Sequence, residues 1–148
     1  MNNANKPNIL FITADQHRGD AYGFRGRNIH TPHLDNLAAE GTSLEAVVTP
    51  CVVCQPSRAS ILTGLLPRTH GVHDNGIDLD LKYAKTSYPA ALSAAGYHTG
   101  IIGKAHFATY HVFEETGSVE SIPGSAQVPE GWRGPYMGFD HAELILIG

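Results

Sequence analysis

The chain has 148 residues, of which 42% are hydrophobic and 16% are charged, a composition typical of a globular domain rather than of a disordered segment. Its formal net charge of −4 argues against a nucleic-acid-binding protein, because such binding depends on clustered lysine and arginine. The two cysteines are too few for a disulfide scaffold, and no apolar run reaches the length of a membrane span.

The first half of the chain is predicted to alternate strands and helices. Residues 8–14, NILFITA, form an apolar run that is typical of a buried strand in a parallel sheet. Residues 31–41 predict a helix that starts at a Thr-Pro pair and stops at a glycine. Residues 43–49 predict a second strand, and residues 57–65 predict a helix capped by its first residue, a serine.

The second half predicts one more helix, at residues 88–95, and two strands, at residues 98–103 and 141–147. Residues 66–86 and 114–136 are predicted to be mostly loop. This order of elements indicates an α/β fold with a mainly parallel sheet flanked by helices. Because the chain ends on an apolar strand whose bare edge proteins usually avoid, we expect it to be the front part of a longer protein.

The N-terminal segment carries a short apolar run but not the apolar core and small-residue cleavage site of a signal peptide. We therefore expect a cytoplasmic protein with neither a membrane nor a nucleic acid as its partner.

Two oxygen-bearing side chains follow the first predicted strand. Asp15 and Gln16 stand where that strand ends, and ligands of open α/β sheets gather beyond the carboxyl ends of strands. A carboxylate beside an amide oxygen suits a hard cation such as Ca²⁺ or Mg²⁺. A second interpretation, in which Asp15 caps the following turn, is equally open.

Paired cysteines and histidines offer a different interpretation. Cys51 and Cys54 are followed by His70 and His73, a pattern similar to zinc-finger ligands. The histidines are one residue too close together for a finger, and prolines interrupt the segment between the pairs. A redox Cys-x-x-Cys motif is also open. A non-catalytic zinc- or thiol-binding domain therefore stays as an alternative function.

Cys54 stands at the mouth of the predicted helix, with Arg58 four residues later. A helix N-terminus offers N–H groups and partial positive charge, and a guanidinium adds donors for an oxyanion. A nucleophile here would face an anionic substrate. On residue chemistry alone, a small buried cysteine beside a surface arginine is the commoner arrangement.

The run CQPSRASILTG, from Cys54 to Gly64, resembles the signature of type I sulfatases, the formylglycine-dependent members of the alkaline-phosphatase-like superfamily. Four further segments resemble family motifs in the same order: residues 8–16, 70–75 (HGVHDN), 103–106 (GKAH) and 138–140 (GFD). The resemblance covers nearly the whole chain but only the N-terminal part of the family's catalytic domain. It implies an alkaline-phosphatase-like fold, with residues 1–148 as the N-terminal part of a sulfatase domain.

The resemblance also implies the chemistry of Cys54. A formylglycine-generating enzyme would oxidise the cysteine to an aldehyde, and one hydroxyl of the hydrated aldehyde would attack sulfur. The second hydroxyl would then expel sulfate. Arg58 would hold the modified residue. Asp15, Gln16 and Cys54 would bind a divalent metal, Ca²⁺ by expectation and Mg²⁺ or Mn²⁺ as alternatives.

The other motifs imply further site residues. Lys104 would bind an oxygen of the sulfate or of the leaving group, His106 would bind the diol and move its proton, and Asn75 would touch the sulfate. The substrate would be a small-molecule or carbohydrate sulfate ester.

The sequence departs from the family pattern in two places. Asp15-Gln16 stands where many members have two aspartates, and the family's downstream metal ligands are not among these residues. We therefore expect this chain to be inactive on its own. A phosphonate monoester or phosphodiester hydrolase of the same superfamily is the alternative. Those enzymes, however, tend to lack a lysine and a histidine at the positions that match Lys104 and His106.

Overall fold

The computed structural model describes residues 6–146, which divide into two compact units. The N-terminal unit ends at Val47 and the C-terminal unit begins at Val48. The N-terminal unit contains a 3₁₀ turn, Gly23–Arg25, and helix α1, Pro32–Glu40, which confirms the helix predicted there. The Asp35 carboxylate joins the two elements, because it accepts hydrogen bonds from the Phe24 N–H and the Thr31 hydroxyl.

Two predicted strands do not form. Residues 8–14 and 43–49 have no strand structure, and their apolar side chains are exposed, with Leu10 at 84% and Val48 at 88%. A strand exists only where a neighbouring strand bonds to its main chain. The strands within residues 6–146 pair with each other and not with either run, so apolar composition alone was misleading.

Helix α2, Cys54–Thr63, is the first helix of the C-terminal unit. It begins at Cys54 rather than at Ser57, whose N–H donates to the Val53 carbonyl, so the prediction that Ser57 caps the helix is wrong. The early start is possible because Pro56 lies in the first turn, where a missing N–H costs no helical hydrogen bond. Gly64 ends the helix in a left-handed conformation.

Short elements interrupt the segments that were predicted to be loop. Helix α3, Pro67–His70, and a 3₁₀ helix, Leu81–Thr86, lie in the first segment. Helix α4, Tyr88–Ala94, matches the predicted helix, and its cap is Ser87. Helix α5, Ile122–Gln127, was missed in the second segment, because proline and glycine usually indicate a loop. Its proline fits the first turn of a helix, and its glycine is unusual within one.

Strands β1, Gly100–Gly103, and β2, His141–Leu144, form a parallel pair, as predicted. Gly100 lies opposite His141, and Gly103 lies opposite Leu144. The end of the predicted strand at Ile147 lies outside the described residues. The Asp140 carboxylate accepts hydrogen bonds from the Thr99 N–H and hydroxyl, which lower its pKa and fix the start of β2 beside the start of β1.

The core of the C-terminal unit lies between α2, the sheet and the loop that precedes β2. Its members are buried apolar side chains: Ala59, Leu62, Val72, Leu79, Ala105, Phe107, Tyr136, Met137, Phe139 and Ala142. Among the residues that the structure describes, no helix is both long and apolar enough to cross a membrane.

A buried histidine supports this core. The His70 Nδ1 accepts a hydrogen bond from the Val72 N–H at 3.1 Å, so the proton is on Nε2, which lies 3.0 Å from the Ser60 hydroxyl. Burial, and then the charge of His73, lower the pKa of His70 below its ordinary value of 6.5. The folded unit therefore holds His70 in its neutral form.

A tight turn joins the loop to β2. Tyr136 and Phe139 exchange main-chain hydrogen bonds, and the two residues between them have positive φ, 48° at Met137 and 93° at Gly138. Gly138 packs against the start of α4. A Cβ at this glycine would overlap the Ser87 hydroxyl and lie 2.7 Å from the Ala84 carbonyl oxygen.

We expect Gly138→Ala to lower the free energy of unfolding by about 3 kcal/mol, since it adds steric overlap to the strain of a positive φ. Urea unfolding measures this loss. The matched control is Gly131→Ala, where φ is 77° and no atom lies within 4 Å of the new Cβ. The control is expected to cost about 1 kcal/mol. Equal losses in the two variants would contradict the packing described here.

We also expect the neutral state of His70 to make stability depend on pH. Because the folded pKa is lowered, the unfolded chain binds more protons than the folded chain as the pH falls below about 6.5. Stability from this group is therefore complete above that pH and is lost below it. Urea unfolding from pH 7.5 to 5.0 is expected to show a shallower fall for His70→Gln than for the wild type. His33→Gln, at an exposed position of the N-terminal unit, is the comparison, and parallel curves for all three proteins would refute this role.

Candidate active site

A cavity of about 210 Å³ opens in the C-terminal unit beyond the carboxyl ends of the two strands. Its walls include residues 75–76, Glu120 and residues 145–146. They also include residues 104–111 except Ala105 and Phe107, whose side chains are buried in the core. Residue 104 directly follows β1, and residue 145 directly follows β2. This is the edge of a parallel sheet at which ligands of α/β proteins gather.

Three of the residues singled out in the sequence lie on this wall. Asn75, Lys104 and His106 all line the cavity, although 28 residues of sequence lie between the first two. The side chains offer an amide, a cation and an imidazole. Such a set can bind and orient an anion.

Cys54 and Arg58 lie on α2, and hydrogen bonds connect that helix to the cavity wall. The N–H of Gln55, next to Cys54, donates to the Asn75 side-chain oxygen at 3.0 Å. The Arg58 guanidinium donates to the Lys104 carbonyl oxygen at 2.6 Å. The structure thus brings the first turn of α2 against both the Asn75 and the Lys104 segments.

Gln55 is a site residue that was not singled out from its sequence context, although it lies within the signature run. Its side chain is fully buried, and the amide oxygen accepts from the Gly76 N–H at 2.8 Å. The amide nitrogen donates to the Ile77 carbonyl at 2.8 Å and to the Phe107 carbonyl at 3.4 Å. Gln55 therefore joins α2 to two stretches of the cavity wall.

Glu120 was also missed, because it lies in the segment predicted to be loop. Its carboxylate is buried, with only 4% of the residue exposed. The carboxylate accepts main-chain hydrogen bonds from His106, Phe107 and Ala108 at 2.6, 3.0 and 3.2 Å, and one from the Tyr136 hydroxyl at 2.6 Å. Burial raises the pKa of Glu120, although these four donors act in the opposite direction. Burial also raises the pKa of Tyr136 well above its usual range.

His106 has a φ of 53°, in the left-handed region that side chains rarely adopt. Such a conformation costs about 1–2 kcal/mol and persists where neighbouring contacts hold the main chain. The bond from its N–H to Glu120 is one such contact.

The predicted metal ligands are divided between the two units. Asp15 and Gln16 lie side by side in an exposed turn of the N-terminal unit, whereas Cys54 begins α2 in the C-terminal unit. A carboxylate and an amide oxygen remain chemically suitable for a hard cation. Within residues 6–146, no group of three or more His, Cys, Asp or Glu side chains is arranged to hold a metal ion.

The alternative zinc site does not form from the Cys and His pairs. His70 lies in the core, and both of its ring nitrogens contact other groups, whereas His73 is exposed. No disulfide joins Cys51 to Cys54, and the Cys51 sulfur accepts the Val53 N–H at 3.5 Å. These positions favour structural roles for Cys51 and His70.

Comparisons with known proteins agree on one family. The model of the family described as Sulfatase matches residues 7–141. An arylsulfatase of Clostridium perfringens is 42% identical over 104 residues, which cover 68% of this chain and 21% of that protein. The N-sulphoglucosamine sulphohydrolase of Homo sapiens is 36% identical over 127 residues, which cover 78% of this chain and 25% of that protein.

A solved structure is similar as well. The yidJ protein of Bacteroides fragilis, described as a sulfatase, matches with a TM-score of 0.66 and 35% identity over 71% of this chain and 24% of that one. The chain thus spans about a fifth to a quarter of the length of the proteins it matches. Since the family model covers most of its residues, the chain belongs to the sulfatase family.

Proposed function

We propose that this chain is the N-terminal part of a sulfatase catalytic domain that hydrolyses a sulfate monoester, with Cys54 as the site of the nucleophile. The observation that carries the proposal is the grouping of Asn75, Lys104 and His106 around one cavity. Hydrogen bonds join Asn75 and Lys104 to the N-terminal part of the helix that begins at Cys54. Residues from three family motifs thereby meet at the carboxyl edge of a parallel sheet.

The wall is suited to a sulfate group. Lys104 supplies positive charge, and the partial positive charge of the α2 N-terminus adds to it. The Asn75 side-chain oxygen accepts the Gln55 N–H, so the amide nitrogen is the end that can donate to a sulfate oxygen. We assign Asn75 and Lys104 to substrate binding on this basis.

His106 is the proton-transfer group of the proposed site. Its imidazole is partly buried on the cavity wall, and a residue of this type can take or give a proton near neutral pH. Arg58 orients the start of α2 through its bond to the Lys104 carbonyl, and its charge lies close to the Lys104 segment.

Membership of the family implies two groups that are not among the twenty amino acids, a formylglycine and a divalent cation. Formylglycine at Cys54, installed by a formylglycine-generating enzyme, would supply an oxygen nucleophile in its hydrated form. The Asp15 carboxylate and the Gln16 amide oxygen would hold a divalent cation, Ca²⁺ in our proposal with Mg²⁺ or Mn²⁺ as alternatives. Such a cation supplies positive charge where negative charge develops.

We propose a small-molecule or carbohydrate sulfate ester as the substrate. The names of the relatives span an aryl and an amino-sugar compound, so an aryl sulfate is a reasonable first probe. Lys104 and His106 on the cavity wall favour a sulfate ester over the phosphonate monoesters and phosphodiesters of the wider superfamily.

We expect Cys54 to be converted to formylglycine when the protein is produced together with a formylglycine-generating enzyme. Mass spectrometry of the peptide that contains both cysteines is expected to show sulfur replaced by oxygen at Cys54 and an intact thiol at Cys51. Cys54→Ala is expected to reduce kcat by at least about 10³-fold, as the loss of a nucleophile does in other hydrolases.

The control for this measurement is Cys51→Ser, which is expected to keep the modification and the wild-type rate. An unmodified Cys54 in a protein that nevertheless hydrolyses sulfate esters would contradict the proposed nucleophile.

We expect Lys104→Ala to lower kcat/KM for an aryl sulfate by about 10²–10³-fold, because it removes a charged donor aimed at the reacting anion. Steady-state kinetics on the complete protein measures the loss. Lys85→Ala is the control: it removes an exposed lysine from the 3₁₀ helix Leu81–Thr86 and is expected to leave the rate unchanged. A similar rate for the two variants would exclude Lys104 from the site.

A further inference from the structure

Three consecutive main-chain N–H groups of the cavity wall point at one buried carboxylate. Glu120 Oε2 accepts the His106 N–H, and Oε1 accepts the N–H groups of Phe107 and Ala108. Glu120 follows this segment by more than ten residues and belongs to the loop that leads into α5. The contact is therefore tertiary and fixes the path of the main chain directly after Lys104.

The same segment is held from its other side by α2. The Phe107 carbonyl accepts from the Leu79 N–H at 2.8 Å and from the Gln55 side chain at 3.4 Å. The Lys104 carbonyl accepts from Arg58. The carbonyl groups of Lys104 and Phe107 thus bond to α2 and Leu79, and the N–H groups of residues 106–108 bond to Glu120.

The hydroxyl groups of Tyr136 and Ser118 hold Glu120 itself. The Tyr136 hydroxyl donates to Oε1 at 2.6 Å and lies 3.2 Å from the Ser118 hydroxyl. The Ser118 hydroxyl in turn accepts the Glu120 N–H at 3.2 Å. A buried carboxylate is unfavourable unless it is well bonded, and here four donors offset part of the cost of its burial.

We propose that Glu120 is a positioning residue for the proposed active site, acting through the N–H groups of residues 106–108 to hold Lys104 and His106 on the cavity wall. This inference rests on the proposed sulfatase function. Glu120 acts on the reaction through the main chain, because its carboxylate is occupied by the four donors. An amide in its place would turn an NH₂ group toward at least one N–H and lose that bond.

The test uses the complete protein and compares Glu120→Gln with Glu130→Gln, a change of the same type at an exposed position. Hydrogen exchange of the amides of residues 106–108 reports on the segment without reference to activity. We expect faster exchange in Glu120→Gln only. We also expect its kcat per folded molecule for p-nitrophenyl sulfate to fall about 10²-fold, the scale of a small misplacement of catalytic groups, with a smaller change in KM.

Tyr136→Phe is the second variant, and it decides the question if Glu120→Gln does not fold. It removes one of the four donors and leaves the carboxylate in place, so we expect an intermediate loss of kcat and intermediate exchange. Exchange and kcat equal to those of Glu130→Gln in every folded variant would overturn the inference. A wild-type protein that hydrolyses no sulfate ester would instead overturn the proposed function, and the exchange data would still decide what Glu120 holds.

Discussion

The N-terminal part of α2 is fixed by hydrogen bonds that the buried Gln55 and the half-buried Arg58 make to distant segments, and the cavity wall depends on them. Gln55 bonds to residues 75–77 and to Phe107, and Arg58 bonds to Lys104. Because each bond joins a side chain of the helix to a backbone atom of the wall, or the reverse, helix and wall keep one relative position. Removing such a bond would leave a buried polar group without a partner, which proteins tolerate poorly.

The sequence predicted those elements whose signals are local. Helices α1 and α4 have a proline in the first turn, and strand β1 begins and ends at a glycine. The strands predicted at residues 8–14 and 43–49 failed because a strand needs a neighbour, which apolar composition does not reveal. The start of α2 was misplaced because a serine that resembles a cap lies one turn inside the helix, and Pro56 fits the turn before it.

The residues of the candidate site likewise divide into those that a local sequence signal reveals and those that depend on distant partners. Asn75, Lys104 and His106 were found because each belongs to a family motif, and the structure brings them to one cavity. Gln55 lies within the signature run but was not singled out there, and Glu120 lies in none of the motifs. Their importance comes from complete burial and from partners distant in sequence, and an amide or carboxylate of this kind looks like a surface residue until the fold is known. The metal-binding roles of Asp15 and Gln16 remain a prediction.

The contact between Glu120 and the wall involves only main-chain atoms of residues 106–108. Every amino acid except proline supplies the same N–H group, so this contact places almost no chemical demand on the side chains there. The choice of side chain at these positions therefore follows from other demands, such as the proton transfer proposed for His106 and the packing of Phe107 in the core. The contact with Glu120 thus sets the path of the wall, whereas Thr109 to His111, which line the cavity just beyond it, can differ in side-chain chemistry without a change in the loop that carries Glu120.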